Sequence, residues 1–349
     1  MHDAMMQTKR LPRKLFGVFL GCCAFLLFSL FAASPGANAA TTIAHHTATP
    51  AIQGDLAAHD PTLIKEGNTY YVFSTGGGIQ IRTSPDLVTW TYAGTVFSSI
   101  PSWVTSAVGS ITDLWAPDIH YVNGTYYLYY AGSTFGSNNS VIGLATNVTL
   151  NPANPRYHWV DRGLVLRSTT SDNYNAIDPN LSFDGNNVPW LAFGSFWSGL
   201  KLRRLDAKTF KPSSSDTTIY SLAERASPDA IEASYIFHHG SYYYLFASVD
   251  YCCQGANSTY KIAVGRASNI TGPYVDESGT PMLQGGYTIL LQSSGNMRGP
   301  GGQSLYQDGG RTLLIHHYYD ASANGAVKIY IRQVIWGSNG WPTLSAPIS

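Results

Sequence analysis

The chain has 349 residues, of which 12% are charged and 13% aromatic, and its formal net charge is zero. Without a basic surplus the chain is not expected to bind nucleic acid, and an acidic polymer is an equally poor ligand. The 34 glycines and 23 tyrosines favour an all-β domain. A neutral, aromatic-rich protein suits a neutral, hydroxyl-rich ligand.

The N-terminus has the composition of an export signal. Residues 9–14 include four basic side chains, residues 15–33 form an apolar run, and Ala37, Asn38 and Ala39 form a small-residue cleavage site. The alternative is an uncleaved membrane anchor, since the apolar run is about long enough to span a bilayer. The cleavage site and the polar stretch after it favour removal. We therefore predict a signal peptide over residues 1–39, a mature domain over 40–349, and a secreted protein without a membrane attachment.

Five repeated units follow in the mature chain. Each has a short strand, a turn glycine, an aromatic strand and a third strand after a polar loop. The turn glycines are spaced 55 to 69 residues apart and are Gly67, Gly124, Gly185, Gly240 and Gly309. Such a period, with three or four strands per unit, is typical of a propeller. The sequence therefore predicts one all-β domain, a five-bladed β-propeller.

Acidic residues recur where the first strand of a unit begins. In a propeller that strand lines the central channel, so the side chains are expected to face one cavity. The acids lie six to eight residues before their turn glycines and are Asp60, Asp118, Asp178 and Glu232. The fifth unit has Gly301 and Gly302 there, which we expect to leave room. An aspartate before proline also initiates turns, but recurrence in several units favours shared chemistry, because grouped buried carboxylates are costly.

The fourth unit carries the only two cysteines outside the signal segment, Cys252 and Cys253. In an oxidising compartment they either form a vicinal disulfide or remain free thiols. Two cysteines are too few for a metal site. We expect them to shape their loop.

Carboxylates around an aromatic-walled cavity suit cleavage of a glycosidic bond. One carboxylic acid protonates the leaving oxygen, and an ionised carboxylate activates water on the opposite face of the sugar. A third carboxylate nearby raises the pKa of the acid by like-charge repulsion.

The chain resembles a glycoside hydrolase of family 43, of the endo-α-1,5-L-arabinanase type. The motifs that carry the resemblance span all five units: "HDP" (59–61), "LWAPDI" (114–119), "STFGSN" (133–138), "NAIDPN" (175–180), "FGSFWSG" (193–199), "IEASYI" (231–236), "DYCCQGANSTYKI" (250–262) and "HHYYD" (316–320). The resemblance implies a general base at Asp60, a modulator at Asp178 and a general acid at Glu232. It gives Asp118 no catalytic role, and a structural hydrogen bond is expected there.

The same motifs suggest substrate contacts. Aromatic rings suit the apolar face of an arabinofuranose, a glycine lets backbone approach the sugar, and polar side chains suit its hydroxyls. For any single aromatic residue, core packing is the alternative. The residues assigned to substrate binding, besides Asp60, are Trp115, Phe135, Gly136, Asn175, Ile177, Ser195, Phe196 and Trp197.

The resemblance also implies a central cation, usually calcium, facing His317 through water, and otherwise no cofactor. The alternative is an ordinary core histidine, and the adjacent His316 blurs the choice. The chain departs from the family pattern at Ser234, where proline is common, and at Gly302 and Gln303, where many relatives carry His-Asn. We expect the first change to be harmless and the second to alter the cleft floor or the ion site.

The resemblance implies a secreted, inverting, monomeric enzyme that cuts internal α-1,5 linkages in arabinan and arabino-oligosaccharides. One alternative is an exo-acting arabinofuranosidase or β-xylosidase on the same scaffold, although those often carry a further β-sandwich domain. A second is a non-catalytic polysaccharide-binding propeller, which has no reason to keep all three carboxylates. A retaining, fructan-cleaving propeller enzyme is a third, but its motifs are not evident.

Overall fold

The structure is a computed structural model that describes residues 51–349. The predicted signal peptide and its boundary at residue 39 lie outside the described residues. Within residues 51–349, no helix has the length and hydropathy of a membrane span.

The described chain folds into five sheets, one for each predicted unit. The first contains β1 (Gln53–Gly54), β2 (His59–Glu66), β3 (Thr69–Thr75), β4 (Gln80–Ser84) and β5 (Thr89–Thr95). The second contains β6 (Trp115–Val122), β7 (Thr125–Gly132), β8 (Ser140–Asn147) and β9 (Val160–Ser168). The third contains β10 (Asn180–Phe183), β11 (Pro189–Phe193), β12 (Leu200–Arg204) and β13 (Ile219–Ala223).

The fourth contains β14 (Ile231–His239), β15 (Tyr242–Val249), β16 (Lys261–Ala267) and β17 (Thr288–Leu291). The fifth contains β18 (Met297–Asp308), β19 (Arg311–Asp320), β20 (Ala326–Trp336) and β21 (Pro342–Pro347). One short helix, α1 (Ser102–Val108), follows the first sheet, and single 3-10 turns lie at Gly255–Asn257, Met282–Gln284 and Ala321–Ala323.

These sheets are the blades of a propeller. In each one the four main strands run antiparallel in chain order, and β1 adds to the first blade in parallel with β5. The first strands of the blades, β2, β6, β10, β14 and β18, contact one another in a closed ring. The predicted all-β, five-bladed propeller is confirmed, and its first strands line the central channel.

The core is divided into five apolar layers, one between each pair of neighbouring blades. Successive side chains of a strand point to opposite faces. On β7, for example, Leu128 and Tyr130 pack toward the first blade while Tyr129 packs toward the third. Both faces of a blade are therefore apolar, which explains the aromatic strands that follow the turn glycines.

Each first strand contains, or closely follows, a residue with a left-handed backbone conformation. The five residues, one per blade, are Asp60 (φ 47°), Ala116 (φ 43°), Asp178 (φ 56°), Ala233 (φ 54°) and Gly302 (φ 56°). Four of them coincide with a shift in strand register, as in a β-bulge that re-aims a side chain.

This repeat corrects the predicted common position of the four acids. Only Asp60 and Asp178 occupy equivalent positions in their blades. Glu232 precedes the left-handed residue of its blade by one, and Asp118 follows that of its blade by two. Because side chains alternate along a strand and the bulge interrupts that alternation, counting residues from the turn glycine does not establish where each acid points.

The ring closes between the first and last blades without exchange of strands. Within residues 51–349, no strand of the first blade enters the sheet of the fifth. The two blades are joined by an apolar layer and by hydrogen bonds, including Tyr70 Oη to Asp308 Oδ2 at 2.9 Å and Ile329 N to Leu56 O at 3.1 Å. We call this contact between the first and fifth blades the closure seam.

Candidate active site

A cleft of about 1120 Å³ opens at one end of the channel. Its lining includes all of the residues predicted for catalysis and substrate binding: Asp60, Trp115, Phe135, Gly136, Asn175, Ile177, Asp178, Ser195, Phe196, Trp197 and Glu232. His317 is fully buried beneath this lining, against Asp60. The roles assigned to these residues stay predictions, whereas their common location is a feature of the structure.

Three polar side chains lie against the Asp60 carboxylate. Its Oδ2 lies 2.8 Å from His59 Nδ1 and accepts a hydrogen bond from Thr75 Oγ1 at 2.8 Å. Its Oδ1 lies 3.4 Å from His317 Nδ1. Burial by itself raises the pKa of Asp60, but the interaction with His59, helped by His317 and Thr75, brings that pKa down to about 2. Asp60 is therefore ionised at neutral pH, as a general base has to be.

Glu232 comes from the fourth blade and is held by two hydroxyl groups. Ser195 Oγ donates to its Oε2 at 2.5 Å, and Tyr260 Oη donates to its Oε1. Burial raises the pKa of Glu232, the two hydroxyls lower it and the charge of Asp60 raises it, and the balance lies above the usual value. The shift is in the direction that a general acid requires.

Asp178 belongs to the third blade, and its pKa is affected by the charges of both other acids. Its Oδ2 accepts a hydrogen bond from the Ala233 backbone N–H at 2.9 Å. Burial, followed by the charges of Glu232 and Asp60, holds the pKa of Asp178 well above its usual range. The pKa values of Asp178 and Glu232 are therefore both shifted upward, whereas that of Asp60 is shifted downward.

Asp118 takes no part in the cleft. Its Oδ2 accepts hydrogen bonds from the Leu181 backbone N–H at 2.7 Å and from Asn180 Nδ2 at 3.3 Å, and lies 2.9 Å from His120 Nε2. Leu181 and Asn180 belong to β10 of the next blade. The structural hydrogen bond expected of Asp118 is present, and it ties the second blade to the third.

The aromatic residues form a wall of the cleft. Phe135 is 80% exposed, and its ring centroid lies 5.2 Å from that of Trp115. Phe196 and Trp197 both have left-handed backbone conformations, with φ of 51° and 47°. So exposed a phenylalanine has no packing role, which supports the predicted sugar contact over the core alternative.

Two polar residues predicted to bind furanose hydroxyls make contacts within the protein. Asn175 is buried, and its Oδ1 accepts a hydrogen bond from Ser140 Oγ at 2.6 Å. The Ser195 hydroxyl is used by Glu232. Ser195 follows the end of β11, beside the strand that carries Glu232, so its first partner is the carboxylate.

His317 lies against Asp60. Its Nδ1 accepts a hydrogen bond from the Asp60 backbone N–H at 3.1 Å, which leaves the proton of the neutral ring on Nε2. Nε2 is buried without a partner among the described residues. A protonated Nε2 donates to water and does not bind a cation directly. The chemistry of this site therefore fits the predicted cation only through an intervening water.

The residues that depart from the family pattern all lie in close-packed surroundings near the channel. A Cβ at Gly302 would lie 2.5 Å from Asp60 Oδ1 and 2.6 Å from His317 Nδ1. The room expected at Gly301 and Gly302 is thus already filled, at Gly301 by the ring of Tyr260. Gln303 is buried, accepting from Ser248 Oγ and donating to Ala233 O. Ser234 is buried and directly follows Ala233, the left-handed residue of its blade.

Several residues near the reacting groups were not assigned from the sequence. They are His59 and Thr75 beside Asp60, Tyr260 beside Glu232, and Tyr319, which lies 2.7 Å from His59 Nε2 through its hydroxyl. Tyr260, His59 and Tyr319 lie inside three of the quoted motifs, and that is the signal that pointed to them. Cys252 and Cys253 form a vicinal disulfide that lines the cleft.

Three partly buried carboxylates from three blades, facing an aromatic-walled cleft, define a glycoside hydrolase in chemical terms. The family model "Glycosyl hydrolases family 43" matches residues 48–342. The chain belongs to glycosyl hydrolase family 43.

Known relatives include enzymes of both endo and exo type. The extracellular endo-α-(1→5)-L-arabinanase 1 of Bacillus subtilis (strain 168) is 48% identical over 82% of this chain and 87% of its own length. The extracellular exo-α-(1→5)-L-arabinofuranosidase of Cellvibrio japonicus (strain Ueda107) is 42% identical over 81% and 85%. The solved α-L-arabinanase of Cellvibrio cellulosa, complexed with arabinohexaose, superposes with a TM-score of 0.80 at 41% identity, over 83% of this chain and 96% of that one.

Proposed function

We propose that this protein is a secreted, inverting endo-α-1,5-L-arabinanase. The observation that carries the proposal is that two carboxyl groups in one cleft have oppositely shifted pKa values. The pKa of Asp60 is lowered and that of Glu232 is raised. A pair of carboxyl groups with opposite shifts is what acid–base cleavage of a glycosidic bond requires.

In the proposed reaction, ionised Asp60 removes a proton from a water molecule, and that water attacks the anomeric carbon of an arabinofuranosyl unit. Protonated Glu232 gives its proton to the glycosidic oxygen as the bond to it breaks. Attack and departure occur on opposite faces, so the configuration inverts. Asp60 ends protonated and Glu232 ionised, and exchange with solvent restores both.

Asp178 is proposed as the modulator of the acid. The charge of Glu232 raises the pKa of Asp178, and by the same like-charge repulsion an ionised Asp178 would raise the pKa of Glu232. The negative charge of Asp60 raises the pKa of both members of the pair. Asp178 also fixes the Ala233 backbone next to Glu232 through its hydrogen bond, and this orients the acid.

Arabinan is the proposed substrate, bound along the wall formed by Trp115, Phe135 and Trp197. The names of the relatives from Bacillus subtilis and Cellvibrio support arabinan or its oligosaccharides as the ligand. The Bacillus relative and its 48% identity favour the endo mode. The word "extracellular" in the names of both curated relatives supports secretion, as does the composition of residues 1–39.

A cation, with calcium as the expectation, is proposed near His317. It would be reached through a water that accepts a hydrogen bond from Nε2, and its positive charge would favour the ionised form of Asp60. No further cofactor is proposed. The protein is expected to act as a monomer.

The proposal is tested with a time course of products from linear α-1,5-arabinan, using the mature protein. Endo action gives oligosaccharides of intermediate length early, together with a rapid fall in viscosity. Arabinose or one short product from the outset would favour the exo alternative, and binding without products would favour the non-catalytic propeller.

Asp60→Ala and Glu232→Ala are each expected to lower kcat by at least about a hundredfold. Asp216→Ala, in the loop between β12 and β13, is the matched control and should retain wild-type activity. Near-normal turnover in Asp60→Ala or Glu232→Ala would contradict the assigned roles.

A further inference from the structure

A line of polar contacts runs from the disulfide loop to the proposed base. The Cys253 backbone N–H donates to Tyr319 Oη at 2.8 Å. Tyr319 Oη lies 2.7 Å from His59 Nε2, and His59 Nδ1 lies 2.8 Å from Asp60 Oδ2. The three side chains and Cys253 all line the cleft.

The direction of the hydrogen bonds in this line follows from the donors available. Tyr319 Oη accepts from the Cys253 N–H and has one hydrogen of its own to donate. The Cys253 sulfur lies 3.8 Å away and His59 Nε2 lies 2.7 Å away, so the hydrogen goes to Nε2. This is the arrangement of a neutral His59, which has its proton on Nδ1 and donates it to Asp60. Burial lowers the pKa of His59 but the interaction with Asp60 raises it above its usual value, and in a protonated His59 both ring nitrogens donate, Nδ1 to Asp60 and Nε2 to Tyr319 Oη. In both states the contact with Tyr319 keeps Nδ1 turned toward the carboxylate.

The vicinal disulfide explains why the Cys253 N–H is available at this place. Cys253 has a left-handed backbone conformation, with φ of 67°, inside the loop between β15 and β16. The loop is closed at its base by hydrogen bonds from the Thr259 and Tyr260 backbone N–H groups to Tyr251 O. The bridge between adjacent residues restricts the loop where it meets Tyr319.

We propose that Tyr319 is a positioning residue for the proposed base, acting through His59, and that the Cys252–Cys253 bridge holds Tyr319 in place. The inference rests on the proposed function of Asp60. It concerns residues from the first, fourth and fifth blades, which meet in the cleft.

The test is a double-mutant cycle on linear arabinan. Tyr319→Phe keeps the ring and removes the hydroxyl, and should lower kcat about tenfold, with KM changed by less than about twofold. His59→Asn places an amide N–H where Nδ1 lies, so it retains a donor for Asp60 but has no atom for Tyr319. In the His59→Asn background, Tyr319→Phe should cause no further loss, because the two residues act in series.

Tyr129→Phe is the matched control, since it removes a buried hydroxyl that donates to Phe210 O at 2.7 Å far from the cleft. It should lower the melting temperature and leave kcat and KM at wild-type values. Unchanged kcat in Tyr319→Phe would overturn the inference, as would an equal loss in the wild-type and His59→Asn backgrounds. High activity in Asp60→Ala would instead overturn the proposed function itself.

The part played by the disulfide has its own measurement. The variant Cys252→Ser/Cys253→Ser should lower kcat several-fold in the wild-type background and have no effect on kcat in the Tyr319→Phe background. A loss of the same size in both backgrounds would mean that the bridge acts by another route, and that half of the inference would be discarded.

Discussion

Replacing Gly302 with alanine tests whether the base depends on the space beside it. Gly302 has φ of 56°, and an added Cβ would lie 2.5 Å from Asp60 Oδ1. Ordinary contact begins at 3.4 Å, so the carboxylate or the strand has to move by up to about 0.9 Å. A displacement of that size at a catalytic group costs on the order of a hundredfold in rate. Gly302→Ala should therefore lower kcat on arabinan by about that factor.

The same substitution at Gly309 separates this effect from backbone strain. Gly309 lies in the same blade, at the turn between β18 and β19, with φ of 59° and nothing within 4 Å of an added Cβ. In both variants, alanine in a left-handed conformation destabilises the folded state by about 1–2 kcal/mol, so both should melt at a lower temperature. Only Gly302→Ala should lose turnover. If Gly302→Ala retains wild-type kcat, or if both variants lose activity equally, the reasoning about space beside Asp60 is wrong.

Asp118→Asn should destabilise the fold by about 1–2 kcal/mol in chemical denaturation yet keep far more activity than Asp178→Asn, because Asp118 only joins two blades; the reverse order of activities would show that the acids have been wrongly divided. Ser195→Ala removes a donor that favours charged Glu232 and so raises the pKa of Glu232 further. Since the acid must be protonated, the alkaline limb of the kcat/KM profile should move to higher pH, and a shift to lower pH would count against Glu232 as the acid. If His317 organises a cation, a chelator should lower the activity or melting temperature of the wild type but hardly affect His317→Ala.

The propeller was predictable because its signals are periodic and local. Turn glycines at near-regular spacing and an aromatic strand after each one define a blade without any long-range information, and all five blades are where the repeat predicts them. The three carboxylates of the cleft were predictable for a related reason, since the start of a first strand faces the channel in every blade.

The side on which each acid lies was not predictable from spacing. Counted from its turn glycine, Asp118 lies one residue later than Asp60 and Asp178 do, and Glu232 lies one residue earlier. Of these two shifted acids, Glu232 lines the cleft and Asp118 does not. The bulge at Ala116 and Ala233 decides this, and alanine in a left-handed conformation leaves no mark in the sequence. The contacts of Tyr319 and Tyr260 were hidden for another reason: they join segments that are distant in the chain.

At the closure seam, the two ends of the described chain both contribute residues to the proposed base and its contacts. Asp60 belongs to the first blade, and His317 and Tyr319, which support it, belong to the last. Neither blade alone contains Asp60 together with the residues that contact it, so a folding intermediate lacking either blade is expected to be inactive if Asp60 is the base. A polysaccharide that contacts both the first and the fifth blade stabilises the contact between them. We therefore expect bound substrate to slow the opening of the propeller, and to protect the protein from added protease in proportion to the occupancy of the cleft.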